Sequence, residues 1–104
     1  MRYEISKHHC DVDATLAKAI EHKVEKVAER LKRYHPDVAD MDIRLEFHDK
    51  QKMHECTLHL RAMKDTLHAK KDAPELRVAV DKSFDALMKE LEHYRVKINK
   101  SLSS

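Results

Sequence analysis

The chain has 104 residues, of which 38% are charged and 41% are hydrophobic, and its formal net charge at pH 7 is only +2. This length predicts one domain with a core of modest size, and the small net charge does not by itself indicate nucleic-acid binding. The chain has no run of apolar residues long enough to cross a membrane, no signal-peptide pattern and only two cysteines. We therefore expect a cytoplasmic protein without a disulfide framework.

A strand and a helix are the first predicted elements. Tyr3 and Ile5 alternate with polar residues in the range 2–6, which is typical of a short strand. Asp13 is a suitable N-cap for the helix, and His35-Pro36-Asp37 ends it because the residue before a proline disfavours helical backbone. Apolar residues recur between these points at helical spacing. The apolar stripe comprises Leu16, Ile20, Val24, Val27, Leu31 and Tyr34.

Charges on this first helix are sorted by face. The basic row beside the apolar stripe comprises Lys23, Lys26, Arg30 and Arg33, and the acidic row nearly opposite comprises Glu21, Glu25 and Glu29. Like charges at positions i and i+4 destabilise a helix by a few tenths of a kcal/mol, so helix stability alone does not explain this order. A phosphate-rich partner would explain the basic row. A solvated face with accidental order is the alternative.

Three further strands and a second helix are predicted next. Alternation of apolar and polar residues in 41–47 and 55–61, with a polar turn at 48–52, predicts two strands with one buried face. After a turn at 63–66, Leu67 and Ala69 supply a short strand. The second helix begins at Pro74 and continues to about Asn99. Its buried stripe comprises Leu76, Val80, Phe84, Leu87, Leu91, Tyr94 and Ile98.

This element order predicts an α+β fold. Helices and strands that each have one apolar face pack as two layers. We expect a β-α-β-β-β-α order with both helices packed on one face of a four-stranded sheet. Residues 1–99 are predicted to form a single domain, and 100–104 a frayed C-terminal tail.

The second helix also has a basic row, opposite its apolar stripe. It comprises Lys82, Lys89, His93 and Lys100, with Lys97 nearby. If the helices lie side by side, the two rows border a positive channel suited to a phosphate backbone. The aromatic residues are assigned to the core or its edge, which favours recognition of RNA shape over base stacking. His22, His35, His48 and His93 are placed on or near the same side, where mild acid would add positive charge.

No cofactor, metal site or catalytic group is expected. The nearest candidate for a metal site combines His8-His9-Cys10 with His54 and Cys56, but it lacks CxxC or HxxxH spacing. Cys10 has no local base together with an oxyanion site. We therefore expect a protein that acts by binding and is not an enzyme.

Several segments occur in the order found in a known family. They are Asp11-Val12-Asp13 followed by Leu16, Ile20, Lys23, Lys26 and Val27, then Glu55-Cys56-Thr57-Leu58-His59-Leu60, Leu67-His68-Ala69, and Val78-Ala79-Val80-Asp81 with Leu87 and Leu91. Together they resemble the short ribosome hibernation promoting factors and ribosome-associated inhibitor A, also called the sigma-54 modulation protein family.

The resemblance implies a single ribosome-binding domain with a fold similar to double-stranded RNA-binding domains. It implies a translation inhibitor that occupies the mRNA and tRNA channel of the small ribosomal subunit in stationary phase or stress. The implied partners are this subunit and its rRNA, and the protein would compete with mRNA and tRNA. The chain ends after the second helix, like the short type, so pairing of ribosomes would require a second factor.

Expectations for single residues follow from the same resemblance. Lys23 and Lys26 match basic positions of the family, whereas Ala17 stands where an arginine is usual. In the second helix a basic row of the family falls on Ala86, Lys89 and His93, and Arg95 and Lys97 match later basic positions. The full set predicted to bind rRNA is Lys23, Lys26, Arg30, Arg33, Lys82, Lys89, His93, Arg95, Lys97 and Lys100.

Two other functions are consistent with the sequence. A generic double-stranded RNA-binding module that is not specific to ribosomes would bind any RNA duplex equally well. A protein-interaction domain would use the outer face of the sheet, where Glu55, Thr57, His59 and Arg61 project.

Overall fold

The computed structural model describes the backbone of residues 1–32, 39–62 and 65–103, and the side chains of these ranges except at 39 and 95–103. The elements are β1 (Arg2–His8), α1 (Ala14–Lys32), β2 (Ala39–His48), β3 (Met53–Ala62), β4 (Asp65–Ala73) and α2 (Leu76–Ser103). The predicted α+β fold and its β-α-β-β-β-α order are confirmed.

The four strands form one sheet in the order β1-β2-β3-β4. β1 and β2 are parallel because α1 crosses over between them, whereas β2, β3 and β4 are successive antiparallel neighbours. Ile43 of β2 lies opposite Leu58 of β3, which lies opposite Ala69 of β4. Since side chains alternate along a strand, this register places apolar residues on one face and polar residues on the other.

Both helices contribute to a single core on the apolar face. The predicted stripe of α1 is buried from Leu16 to Leu31, and Tyr34 lies outside the described residues. On α2, the predicted residues from Val80 to Tyr94 are buried, together with Ala79 and Ser83, which were not predicted. No helix in the described part of the chain combines the length and the apolar character needed to cross a membrane.

Hydrogen bonds mark the start of each helix. The Asp13 side chain accepts a hydrogen bond from the Leu16 backbone N–H at 2.7 Å, which confirms the predicted N-cap. α2 begins at Leu76 instead of Pro74, and its first helical hydrogen bond runs from Ala79 to the Glu75 carbonyl. The Pro74 carbonyl instead accepts a hydrogen bond from His54 Nδ1 at 2.8 Å.

Other boundaries differ from the predicted ones. β4 covers 65–73, because its pairing with β3 continues from Asp65 opposite Ala62 to Ala73 opposite His54. The helical backbone of α2 continues to Ser103, past the helix end predicted at about Asn99. Neither proline nor glycine interrupts the sequence after Asn99. The predicted end of α1 at 35–37 and most of the turn at 63–66 lie outside the described residues.

Cys56 is fully buried where β3 meets α2. Burial raises the pKa of its thiol to about 11, although a hydrogen bond with Ser83 acts in the opposite direction. The Cys56 thiol is therefore protonated and inaccessible at pH 8, whereas Cys10 is only half-buried. We expect a thiol reagent to modify one cysteine of the folded protein and two after unfolding, as counted by mass spectrometry. Rapid modification of Cys56 in the folded protein would contradict this environment.

Candidate nucleic-acid interface

The predicted basic residues lie on the two helices that cover one face of the sheet. Lys26 and Arg30 of α1 are exposed, and Lys23 is half-buried. The exposed members on α2 are Lys82, Lys89 and His93. Arg33 lies outside the described residues. The backbones of Arg95, Lys97 and Lys100 belong to α2, but their side chains are also outside the description.

Two bases of α1 form ion pairs with acids of α2. Lys23 Nζ lies 3.0 Å from Asp81 Oδ1, and Arg30 donates a hydrogen bond to Glu92 Oε1. Lys23 Nζ also lies 6.0 Å from the ring centroid of Phe84, within the range of a cation–π contact. The boundary between the helices is therefore mixed in charge, whereas a positive channel was predicted there.

The acids of α2 that face α1 were missed in the sequence analysis. Asp81, Asp85 and Glu92 recur at i, i+4 and i+11, so they share one flank between the apolar stripe and the basic row. The spacing of these acids can be read from the sequence. Their pairing with α1 cannot, because it depends on which flank of α2 faces α1 when both helices pack on the sheet.

A groove of about 340 Å³ runs between the helices and is lined by Lys26, Glu29, Arg30 and Met88. Within the described part of the chain, no carboxylate lies within ion-pair distance of the Lys26, Lys82 or Lys89 amine. Among the lysines and arginines of the predicted set whose side chains are described, these three can therefore meet a phosphate group without first leaving an acidic partner. Lys26 borders the groove, and Lys82 and Lys89 lie on the exposed side of α2.

The outer face of the sheet has a different charge pattern. Arg61 Nε lies 2.7 Å from Asp40, and Arg61 Nη1 lies 2.9 Å from Asp42. The hydrogen bond with Asp40 and the charges of both acids raise the pKa of the Arg61 guanidinium. His48 also belongs to this face, so its predicted position near the basic helices is wrong. Met41, Ile43 and Leu45 point to the helices, and the alternate residues of β2 point away.

Comparison with known proteins identifies the family. A family described as Sigma 54 modulation protein / S30EA ribosomal protein matches residues 3–99. The chain belongs to this family. The match confirms the assignment drawn from the ordered sequence motifs, and it covers all six elements of the fold except the first residue of β1 and the end of α2.

Solved structures show the same fold as this S30EA family member. A ribosomal subunit interface protein from Coxiella burnetii superimposes with a TM-score of 0.77 at 13% identity, covering 92% of this chain and 99% of that chain. The Protein Y N-terminal domain of Thermus thermophilus gives a TM-score of 0.67 at 15% identity, covering 90% and 99%. At these identities the likeness concerns the fold alone. No protein of curated function matches the sequence closely enough to be informative.

Proposed function

We propose that this protein is a hibernation factor that binds the small ribosomal subunit and inhibits translation in stationary phase or stress. The observation that carries the proposal is membership of the S30EA ribosomal protein family over residues 3–99. The Coxiella burnetii protein of the same fold is described as a ribosomal subunit interface protein. The sequence resemblance implies that the protein binds at this interface, in the channel that mRNA and tRNA use.

The proposed mechanism is occlusion of this channel. Lys26, Lys82 and Lys89 would contact rRNA phosphates directly, since their amines are exposed and have no described acidic partner. Lys23 and Arg30 would exchange a carboxylate of α2 for a phosphate. His93 is exposed on the same helix and would lie beside these contacts. Arg33, Arg95, Lys97 and Lys100 remain in the proposed set from their sequence positions. The mechanism makes and breaks no covalent bond.

Translation in a reconstituted system tests this mechanism. We expect the protein to inhibit initiation, and expect tRNA and mRNA, when bound first, to protect the ribosomes. The alternative is a generic double-stranded RNA-binding module, because the sequence resemblance implies a fold similar to that of double-stranded RNA-binding domains. It predicts that an unrelated RNA duplex relieves inhibition as effectively as extra small subunits do. That result would contradict the hibernation factor.

The Lys23–Asp81 pair provides a separate prediction. Asp81→Asn removes the carboxylate that neutralises Lys23, while Phe84 still holds the lysine beside α2. Partly exposed ion pairs contribute up to about 1 kcal/mol, so we expect small-subunit affinity to rise about two- to fivefold at low salt. Filter binding measures the change. The control Glu21→Gln makes the same charge change on the acidic flank of α1, and equal affinities for the two variants would contradict the prediction.

A further inference from the structure

One end of the outer sheet face brings together an imidazole and two carboxylates. Glu46 and His48 lie two residues apart on β2 and point to the same side. Glu55 of β3 is the register partner of Glu46. One ligand atom of each residue lies within 4.8 Å of the other two, the only such group in the described part of the chain.

We propose that Glu46, His48 and Glu55 form a binding site for a divalent transition metal ion such as Zn²⁺. The first support is distance. His48 Nε2 lies 3.4 Å from Glu55 Oε2 and 4.0 Å from Glu46 Oε2. Tetrahedral zinc bonds of about 2.0–2.2 Å separate neighbouring ligand atoms by about 3.4 Å. The distance from His48 Nε2 to Glu55 Oε2 already equals this separation. A small rotation of the Glu46 side chain would shorten its distance to His48 Nε2 to the same value.

The second support is the environment of His48 Nε2. This atom is inaccessible to solvent and, although two carboxylates lie at ion-pair distance, it makes no hydrogen bond among the described residues. A solvent-inaccessible polar atom without a hydrogen bond is unfavourable, and a metal ion held by the same three side chains would supply a direct bond to it. The side chains of Glu46 and Glu55 are 27% and 18% exposed, so both carboxylates are partly dehydrated and remain accessible to an ion.

Two cationic side chains form ion pairs with these carboxylates. Arg44 lies 3.7 Å from Glu46, and Lys70 lies 3.5 Å from Glu55. Both cationic side chains are more than half exposed, and such surface pairs contribute little stability. Their charged ends can move into solvent when a divalent ion replaces them. The two cations offset the negative charges of the two carboxylates. They therefore compete with a metal ion and lower the affinity of the site for it.

The donor atoms indicate the class of ion. One imidazole nitrogen with two carboxylate oxygens suits Zn²⁺ and its neighbours in the first transition row. Mg²⁺ and Ca²⁺ prefer shells of six to eight oxygen ligands, which three side chains including a histidine do not supply. With three protein ligands on an exposed face, the fourth position of a tetrahedral ion is open to water.

Zn²⁺ titration of the full chain, followed by calorimetry at neutral pH, tests the proposal. We expect one ion to bind per chain, and His48→Ala and Glu55→Gln each to weaken binding about tenfold or more. The matched control is His59→Ala, which removes another histidine from the same face. His59 is stacked on His68 with ring centroids 6.0 Å apart. This control therefore also tests whether these two histidines bind the ion instead. Circular dichroism of each metal-free variant verifies folding.

Cobalt substitution provides a second readout that does not depend on His48→Ala being folded. Co²⁺ bound to the wild type should give the visible absorption of a tetrahedral site. Glu46→Gln and Glu55→Gln should remove that absorption, and His59→Ala should retain it. Loss of binding in His59→Ala, or wild-type affinity in both glutamine variants, would overturn the proposal.

Discussion

Reversing the charge of Lys26 and Lys89 together is expected to weaken binding to the small ribosomal subunit by about 30-fold or more at physiological salt. Both amines are exposed, and each lysine would neutralise one rRNA phosphate. Each lost phosphate contact lowers the salt dependence by roughly one unit, so the slope of log K against log salt should fall by about two. Filter binding of Lys26→Glu/Lys89→Glu over graded salt measures both quantities.

The matched control is Lys50→Glu/Lys52→Glu. This variant makes the same change in net charge, but its two lysines are exposed in the loop between β2 and β3 and belong to neither helix. We expect its affinity and its salt slope to stay close to those of the wild type. If the helix variant bound as well as the wild type, or if both variants lost affinity equally, the lysines of α1 and α2 would not form the interface.

Truncating Leu58 is expected to have the largest effect on stability. Leu58 is fully buried in the middle of β3, between Ile43 and Ala69 of the neighbouring strands and below the helices. Leu→Ala at such positions removes apolar burial and leaves a cavity, so Leu58→Ala should lower the free energy of unfolding by about 3 kcal/mol. Urea denaturation measures the change.

Val78→Ala is the control for this truncation. Val78 is 37% exposed on α2, and its replacement should change the free energy of unfolding by less than about 1 kcal/mol. Equal losses in the two variants would mean that the sheet and the helices do not enclose the core as described.

The sequence predicted the parts of the fold that depend on local periodicity. The apolar stripe of α1, the N-cap at Asp13 and the alternation from Met41 to Leu45 each follow from one element, and the structure confirms them. Helix ends were less predictable. α2 begins two residues after the predicted Pro74, and the Pro74 carbonyl accepts a hydrogen bond from His54, which is 20 residues away in sequence.

Features that require two elements at once were not predicted. Asp81 and Glu92 meet Lys23 and Arg30 only because the acidic flank of α2 turns toward α1. The group of Glu46, His48 and Glu55 depends on the register across the β2–β3 hairpin, which motif spacing does not encode. The placement of His48 failed for a related reason. The sequence placed His48 in the turn at 48–52, whereas β2 continues through His48 and its pairing with β3 puts the side chain on the outer face.

Sedimentation with vacant ribosomes, separated subunits and a plain RNA duplex tests the central claim most directly. Purified protein is mixed with each particle at graded salt, and the bound fraction is measured in the pellet. A hibernation factor should saturate the small subunit at one copy per particle, lose affinity as salt rises and be displaced by tRNA and mRNA. Equal binding to the subunit and to the duplex, without saturation at one copy, would contradict this function.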